Sequence, residues 1–185
     1  MNTVVHSLYF EDFELGQAFQ SGGRTVTEID LTFFSMLSGD WNPIHADVEF
    51  ARATRYGQRV VHGTLGIAIA TGMLHELGIF HESAVAMMSI DQWKFIAPIF
   101  VGDTLRLRLE ITALEAGTSP RVGRLGRRFV MLNQRDEIVQ DGHSALLIKK
   151  RGYADDGRRV RRSALARARG ANVSRLESRP RPRAM

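Results

Sequence analysis

From residue 84 onward, apolar and polar positions alternate with a period of two. The segments 84–95, 104–114, 121–132 and 138–150 read as antiparallel strands, because successive side chains of a strand point to opposite faces. The connections carry turn chemistry in Gly102-Asp103, Gly117-Thr118-Ser119-Pro120 and Asn133-Gln134-Arg135-Asp136. Upstream the period lengthens. After a strand expected over 17–26, Thr27-Glu28-Ile29-Asp30 has the form of a capping box, with Thr27 as N-cap and Asp30 as the acid that reaches back. The helix it opens runs to about Ser38, with Ile29, Phe33, Phe34, Met36 and Leu37 expected to face a core. A short helix is expected within 47–56. A longer one begins near His62 and continues to about Leu77, where Gly78 supplies a stop. Its small and apolar run, 64–74, reads as buried on most faces. A buried helix followed by successive strands predicts an α+β domain, one antiparallel sheet wrapped around a long central helix. No internal repeat appears.

A chain of 185 residues with 44% hydrophobic and 24% charged side chains suits one globular domain with a good-sized core. There is no cysteine, which excludes disulfides, thiolate nucleophiles and cysteine-bound metals. The first ten residues lack the basic start and long apolar core of a secretory signal. The run 64–74 is shorter than the ~20 residues needed to cross a bilayer, and His75 and Glu76 interrupt it. The expectation is a soluble cytoplasmic protein with no membrane span.

The net charge of +5 is unevenly spread. Residues 149–185 hold two Lys and eleven Arg against Asp155, Asp156 and Glu177, a net of +10, which leaves −5 on residues 1–148. The Arg-rich tail, 150–185, reads as a disordered end. Its charge also permits nucleic acid, anionic membrane or acidic partners, and 161–176 is able to form a short helix on a partner. Tyr153 is its only aromatic residue, which disfavours base stacking, and no helix-turn-helix lies beside the domain.

The chemistry concentrates in Leu37-Ser38-Gly39-Asp40-Trp41-Asn42-Pro43-Ile44-His45. On a continuous helix Asp40 and His45 would point about 140° apart. Pro43 lacks an N–H and pushes Asn42 out of the helical region, so the chain is expected to bend there and bring both side chains to one point. A carboxylate and an imidazole that converge can hold a water and move its protons. The same residue types also suit a plain helix end, an Asn-Pro turn and a surface His. Next comes Val60-Val61-His62-Gly63 at the mouth of the apolar helix. The first N–H groups there have no partner within the helix, and Gly63 leaves its own open to a close ligand; Gly-rich helix starts are also ordinary.

Together, Ser38-Gly39-Asp40-x-Asn42-Pro43-Ile44-His45 and Val61-His62-Gly63 resemble the hydratase motif of the MaoC-like dehydratases, the (R)-specific enoyl-CoA hydratases of the hotdog fold. The likeness extends through Tyr9-Phe10-Glu11-Asp12-Phe13, Gly23-Arg24-Thr25-Val26-Thr27 and Lys94-Phe95-x-x-Pro98-x-x-x-Gly102-Asp103, covering roughly 8–149 as one hotdog domain. It implies hydration of a trans-2-enoyl-CoA to an (R)-3-hydroxyacyl-CoA, or the reverse. Residues matching Asp40 and His45 would activate water, and the Gly63 amide would polarise the thioester carbonyl. Asn42 is expected to fix the bend or to bond one of the pair. Thr71 matches a supporting hydroxyl of some relatives, although it can equally bond back to a helix carbonyl. Arg52, Arg55, Arg59 and Lys94 are the candidate contacts to the phosphate-bearing coenzyme A or acyl-carrier arm, ordinary surface charge also explains each of them, and His62 is a further candidate substrate contact. Trp41, Phe50 and the Trp93–Phe95 stretch are candidate walls for the acyl chain. No cofactor beyond the substrate's own coenzyme A and no metal are expected; His75, His81 and His143 show no ligand spacing. The likeness also implies a homodimer, since relatives pair the exposed sheet edge of two subunits. Two other readings remain: a hotdog thioesterase, and a non-catalytic acyl-CoA-binding protein with a nucleic-acid-binding tail.

Overall fold

The computed structural model describes residues 6–153. After a 3-10 turn, Phe10–Asp12, come β1 (Ala18–Gln20), β2 (Arg24–Thr25) and α1 (Glu28–Ser38). Then follow α2 (Pro43–Ala46), α3 (Val48–Arg52), α4 (Gly63–Glu76) and the strands β3 (Ala84–Phe95), β4 (Thr104–Glu115), β5 (Val122–Leu132) and β6 (Ile138–Lys149). The sheet runs β1-β4-β5-β6-β3, with β2 also on β4, and every pairing is antiparallel. The four long strands lie within a residue or so of their expected bounds. The chain divides after Arg151, and the 161–176 helix and the character of the Arg-rich tail fall outside the described residues.

The strand expected over 17–26 is two short ones. Ser21 breaks it: its N–H donates to Leu107 O and its Oγ accepts from Leu107 N, both at 2.9 Å. A side-chain oxygen thus stands in for a ladder carbonyl, and the register on β4 slips by one residue between Gln20↔Arg108 and Arg24↔Leu105.

The core lies between the inward row of the sheet and one side of α4. Leu105, Leu107, Leu109 and Ile111 of β4 and Leu125, Phe129 and Met131 of β5 join Leu65, Ile69, Ala70 and Met73 in one buried cluster. The capping box forms as expected: Thr27 Oγ1 accepts from Asp30 N and Asp30 Oδ2 from Thr27 N. The inward face of α1 differs from expectation. Leu31 and Ser35 are its buried residues, Phe34 is half-buried, and Ile29, Phe33, Met36 and Leu37 are exposed. The apolar side made by Ile29, Phe33, Met36 and Leu37 is thus left open, and the i, i+4 stripe of Leu31 and Ser35 is the one that meets the rest of the fold.

Burial of α4 is also one-sided. Leu65, Gly66, Ile69, Ala70, Met73 and Leu74 are covered, while Thr64, Ala68, Thr71 and His75 form an open stripe. Beside it runs β3, the end strand of the sheet. Its Met87, Ile90 and Phe95 lie opposite Leu146, Ser144 and Gln140 of β6, all buried, yet are themselves 43–57% exposed. No helix among the described residues is long and apolar enough to cross a membrane.

Candidate functional site

The bend between Asp40 and His45 begins at a glycine. Gly39 takes a left-handed φ of 73° and donates its N–H to Ser35 O at 2.9 Å, which closes α1. Pro43 breaks nothing; it sits at the first position of α2, where its missing N–H costs nothing. Asn42 is the N-cap of that helix, its Oδ1 accepting from Ile44 N at 3.1 Å, and its own N–H donates to Asp40 Oδ1 at 3.1 Å. Asn42 therefore fixes the turn and, through its main chain, aims the Asp40 carboxylate.

That leaves Asp40 Oδ2 facing two imidazoles, 4.0 Å from His45 Nε2 and 3.9 Å from His62 Nε2. His45 Nδ1 lies 2.6 Å from Val60 O. A carbonyl only accepts, so Nδ1 carries a hydrogen, and Nε2 is the nitrogen turned towards Asp40. His62 is 2% exposed, and by the same reasoning its Nε2 donates to the Asp40 backbone oxygen at 3.0 Å. Its ring stacks under that of His45, with centroids 3.8 Å apart and planes 24° from parallel, and Phe34 packs against it at 5.1 Å. His62 Nδ1 has no hydrogen-bond partner among the described residues.

Gly63 opens α4 next to this group. Its carbonyl accepts from Gln140 Nε2 at 2.9 Å, and Gln140 Oε1 accepts in turn from Trp93 Nε1 at 3.0 Å. The backbone is tightly enclosed: a Cβ on Gly63 would lie 2.6 Å from the Phe95 ring, and one on Gly66 only 2.2 Å from Gln140 Nε2. As a first-turn group, the Gly63 N–H has no acceptor within its helix. Asp40, His45, His62 and Gly63 line a cavity of about 600 Å³ whose other walls include Tyr56, Phe95 and Pro98.

Asp40 Oδ2 and one nitrogen of each imidazole lie within 4.8 Å of one another, which is also the spacing of a metal site. Two features oppose that use. His62 Nε2 is committed to the Asp40 carbonyl, and nearly parallel rings run their in-plane lone pairs alongside each other instead of towards one point.

Other expected contacts scatter. Arg55 lines the cavity, its guanidinium donating to Tyr56 Oη at 2.6 Å. Arg52 pairs with Glu49 at 2.7 Å and Arg59 with Glu28 at 2.6 Å, and neither lines the cavity. Lys94 lies in a separate polar groove with Arg128, Asp141 and His143 on the outer side of the sheet, since strand parity turns it away from Phe95. Thr71 donates to Ala68 O at 2.7 Å and sits two turns along the open stripe, outside the cavity. Trp41 and Phe50 are exposed and line no part of it, and of the aromatic stretch only Phe95 does. His62, a candidate substrate contact, lines the cavity and lies beneath the Asp–His pair. Gln140 escaped sequence reasoning; its signal was a polar residue at an inward position of a strand.

A family model described as MaoC like domain matches residues 12–128. The 3-hydroxybutyryl-CoA dehydratase of Methylorubrum extorquens is 28% identical over 80% of this chain and 88% of its own length. The (R)-specific enoyl-CoA hydratase of Rhodospirillum rubrum is 33% identical over 57% of this chain and 71% of its own. Protein MaoC of Klebsiella aerogenes is 36% identical over 55% of this chain, which spans only 30% of that longer protein. Among solved structures, the monoamine oxidase regulatory protein of Archaeoglobus fulgius superposes with a TM-score of 0.73 at 31% identity, covering 80% of this chain and 97% of that one. The double-hotdog protein Rv0216 of Mycobacterium tuberculosis superposes with a TM-score of 0.71 at 22% identity over 80% of this chain and 46% of that one, a likeness of fold.

Proposed function

Because this chain belongs to the MaoC-like dehydratase family, a family of hydratases and dehydratases, we propose that it interconverts a trans-2-enoyl thioester and the (R)-3-hydroxyacyl thioester, on coenzyme A or an acyl carrier. The observation that carries this reading is the placement of Asp40 Oδ2 4.0 Å from His45 Nε2, in a cavity shared with the first N–H of α4. A gap of 4.0 Å exceeds a hydrogen bond and suits one water bonded to both groups. The water gives a proton to the dyad as its oxygen bonds the β carbon. The π electrons move onto the thioester oxygen, where the Gly63 N–H meets the developing charge. The α carbon then takes a proton back from the dyad and the thioester re-forms. One such amide is worth about 3–4 kcal/mol in the transition state. Every bond change is met by these groups and the thioester itself, so the mechanism calls on no resident cofactor or metal.

Of the candidate basic residues, Arg55 is the one placed to meet a phosphate of the carrier arm, since it is exposed and lines the cavity. We further propose a homodimer that covers the open stripe of α4 and the apolar side of β3, where large side chains otherwise meet water. Incubation with crotonyl-CoA tests the reaction: enoyl absorbance should fall with no free thiol appearing. Thiol release without a hydrated product would make the protein a thioesterase and sink the proposal.

A further inference from the structure

Arg127 is a buried cation with no counter-charge among the described residues. It takes an inward position on β5 between Leu125 and Phe129 and is 2% exposed. Its Nη2 donates to Ser144 Oγ at 2.8 Å, and its Nε has no hydrogen-bond partner among the described residues. The guanidinium carbon lies 5.5 Å from the centre of the Phe80 ring and 5.2 Å from that of Phe129. Among the described residues no carboxylate pairs with it, whereas Arg24, Arg59, Arg106, Arg124 and Arg128 each hold one. Burial draws its pKa down to about 10, which leaves it charged at neutral pH. Aromatic faces offset part of the cost of a desolvated charge, yet a guanidinium without an anion is a poor structural choice where a neutral side chain would pack.

Arg127 lines a groove of about 350 Å³ with Thr71, Leu74, His75, Phe80 and Met87. This groove and the Asp40–His45 cavity are separate hollows bordered by the same two elements, and a chain running from one to the other would pass between α4 and β3. The open stripe of α4 forms one side, from Thr64 at the cavity to Thr71 and His75 at the groove. Strand β3 forms the other, from Phe95 at the cavity to Met87 at the groove. From Gly63 to Thr71 the helix rises about 12 Å. A thioester carbonyl bound at Gly63 would therefore send its acyl chain along an apolar track that ends beside a cation. In the proposed dimer the second copy roofs this track.

We propose that Arg127 binds a carboxylate at the far end of the acyl chain, so that the preferred substrate is a medium-length enoyl thioester with a terminal acid group. The planar fork of a guanidinium matches a carboxylate better than any other acyl terminus. This deepens the hydratase reading and rests on it for the placement of the thioester.

The test compares two enoyl-CoA series of equal length, one ending in methyl and one in carboxylate, together with crotonyl-CoA. Wild type should favour the carboxylate series in kcat/KM by at least about tenfold, the worth of one charge-assisted hydrogen bond. Arg127→Met should erase that preference while changing crotonyl-CoA hydration less than about threefold, and Arg127→Lys should restore part of it. Equal loss on all substrates, a wild-type preference for methyl ends, or dissociation of the dimer in Arg127→Met would overturn the assignment; the last would make the arginine a subunit contact. The wild-type comparison decides even if the variants fail to fold. Calorimetric binding of saturated acyl-CoAs with the two kinds of terminus separates this idea from the one beneath it. Discrimination in binding without turnover would remove the hydratase reading and leave the carboxylate site standing. Turnover without discrimination would do the opposite.

Discussion

At Asp40 one carboxylate oxygen is held by the Asn42 N–H and the other is turned towards His45, so the two oxygens have separate duties. Asp40→Asn keeps the shape but loses the charge, and His45→Gln keeps a polar group but loses the proton carrier. Each should lower kcat by about 10²–10⁴-fold, the usual worth of positioned acid–base catalysis, with an unchanged thermal melt. Steady-state kinetics on crotonyl-CoA beside circular dichroism would check both, and a variant retaining most activity would remove the dyad from the mechanism. His62 touches both members of the pair. His62→Phe keeps a ring under His45 but loses the bond to the Asp40 carbonyl, at a stability cost of about 1 kcal/mol. Its expected signature is a fall in kcat with KM nearly constant, because the loosened group is the acid, not the substrate.

Among elements, α4 and β6 meet at a point that leaves no spare volume. Gly66→Ala would drive a methyl into Gln140, which bonds the Gly63 carbonyl and so holds the helix mouth. The expected loss is about 1–3 kcal/mol of stability, read from denaturant unfolding, together with reduced turnover. On the outer face, Arg128 of β5 grips Asp141 of β6 with two hydrogen bonds, at 2.6 and 3.1 Å. The Arg128 hydrogen bond, outweighing desolvation and aided by the nearby charges of Arg128, His143 and Lys94, holds the Asp141 carboxyl below its ordinary pKa. A depressed acid contributes stability above its unfolded pKa, about 3.9, and loses it as pH falls through the lower folded value. Asp141→Asn should therefore be less stable than wild type at pH 7, with the difference shrinking below about pH 4 in urea midpoints taken across pH. A constant gap would mean that the ion pair contributes nothing there.

For the whole molecule, the open side is the informative one. An end strand carrying Val85, Met87, Met88 and Ile90 in water, beside an uncovered helix stripe, is the surface that a second copy would bury. Met88→Lys places a charge on that edge without touching the cavity or the Arg127 groove. It should convert the dimer to monomer in light scattering; wild type already monomeric at micromolar concentration would refute the proposed assembly.

Local rules carried far along this chain. The Thr27 capping box, the Gly78 stop, the strand spans and the nearness of Asp40 and His45 all follow from residues a few positions apart, where steric and hydrogen-bond preferences act directly. What the amino-acid order left open was decided by contacts between distant segments. Only the tertiary packing selects Leu31 and Ser35 as the inward side of α1, decides that Phe95 and not Lys94 faces the cavity, and seats His62 under His45. Strand register brings Arg127 to Ser144 and Gln140 to the mouth of α4, and neither meeting is written in the local sequence. The reason is physical: one residue of strand register reverses every side chain between core and solvent, and register is a property of the pair of strands, not of either sequence alone.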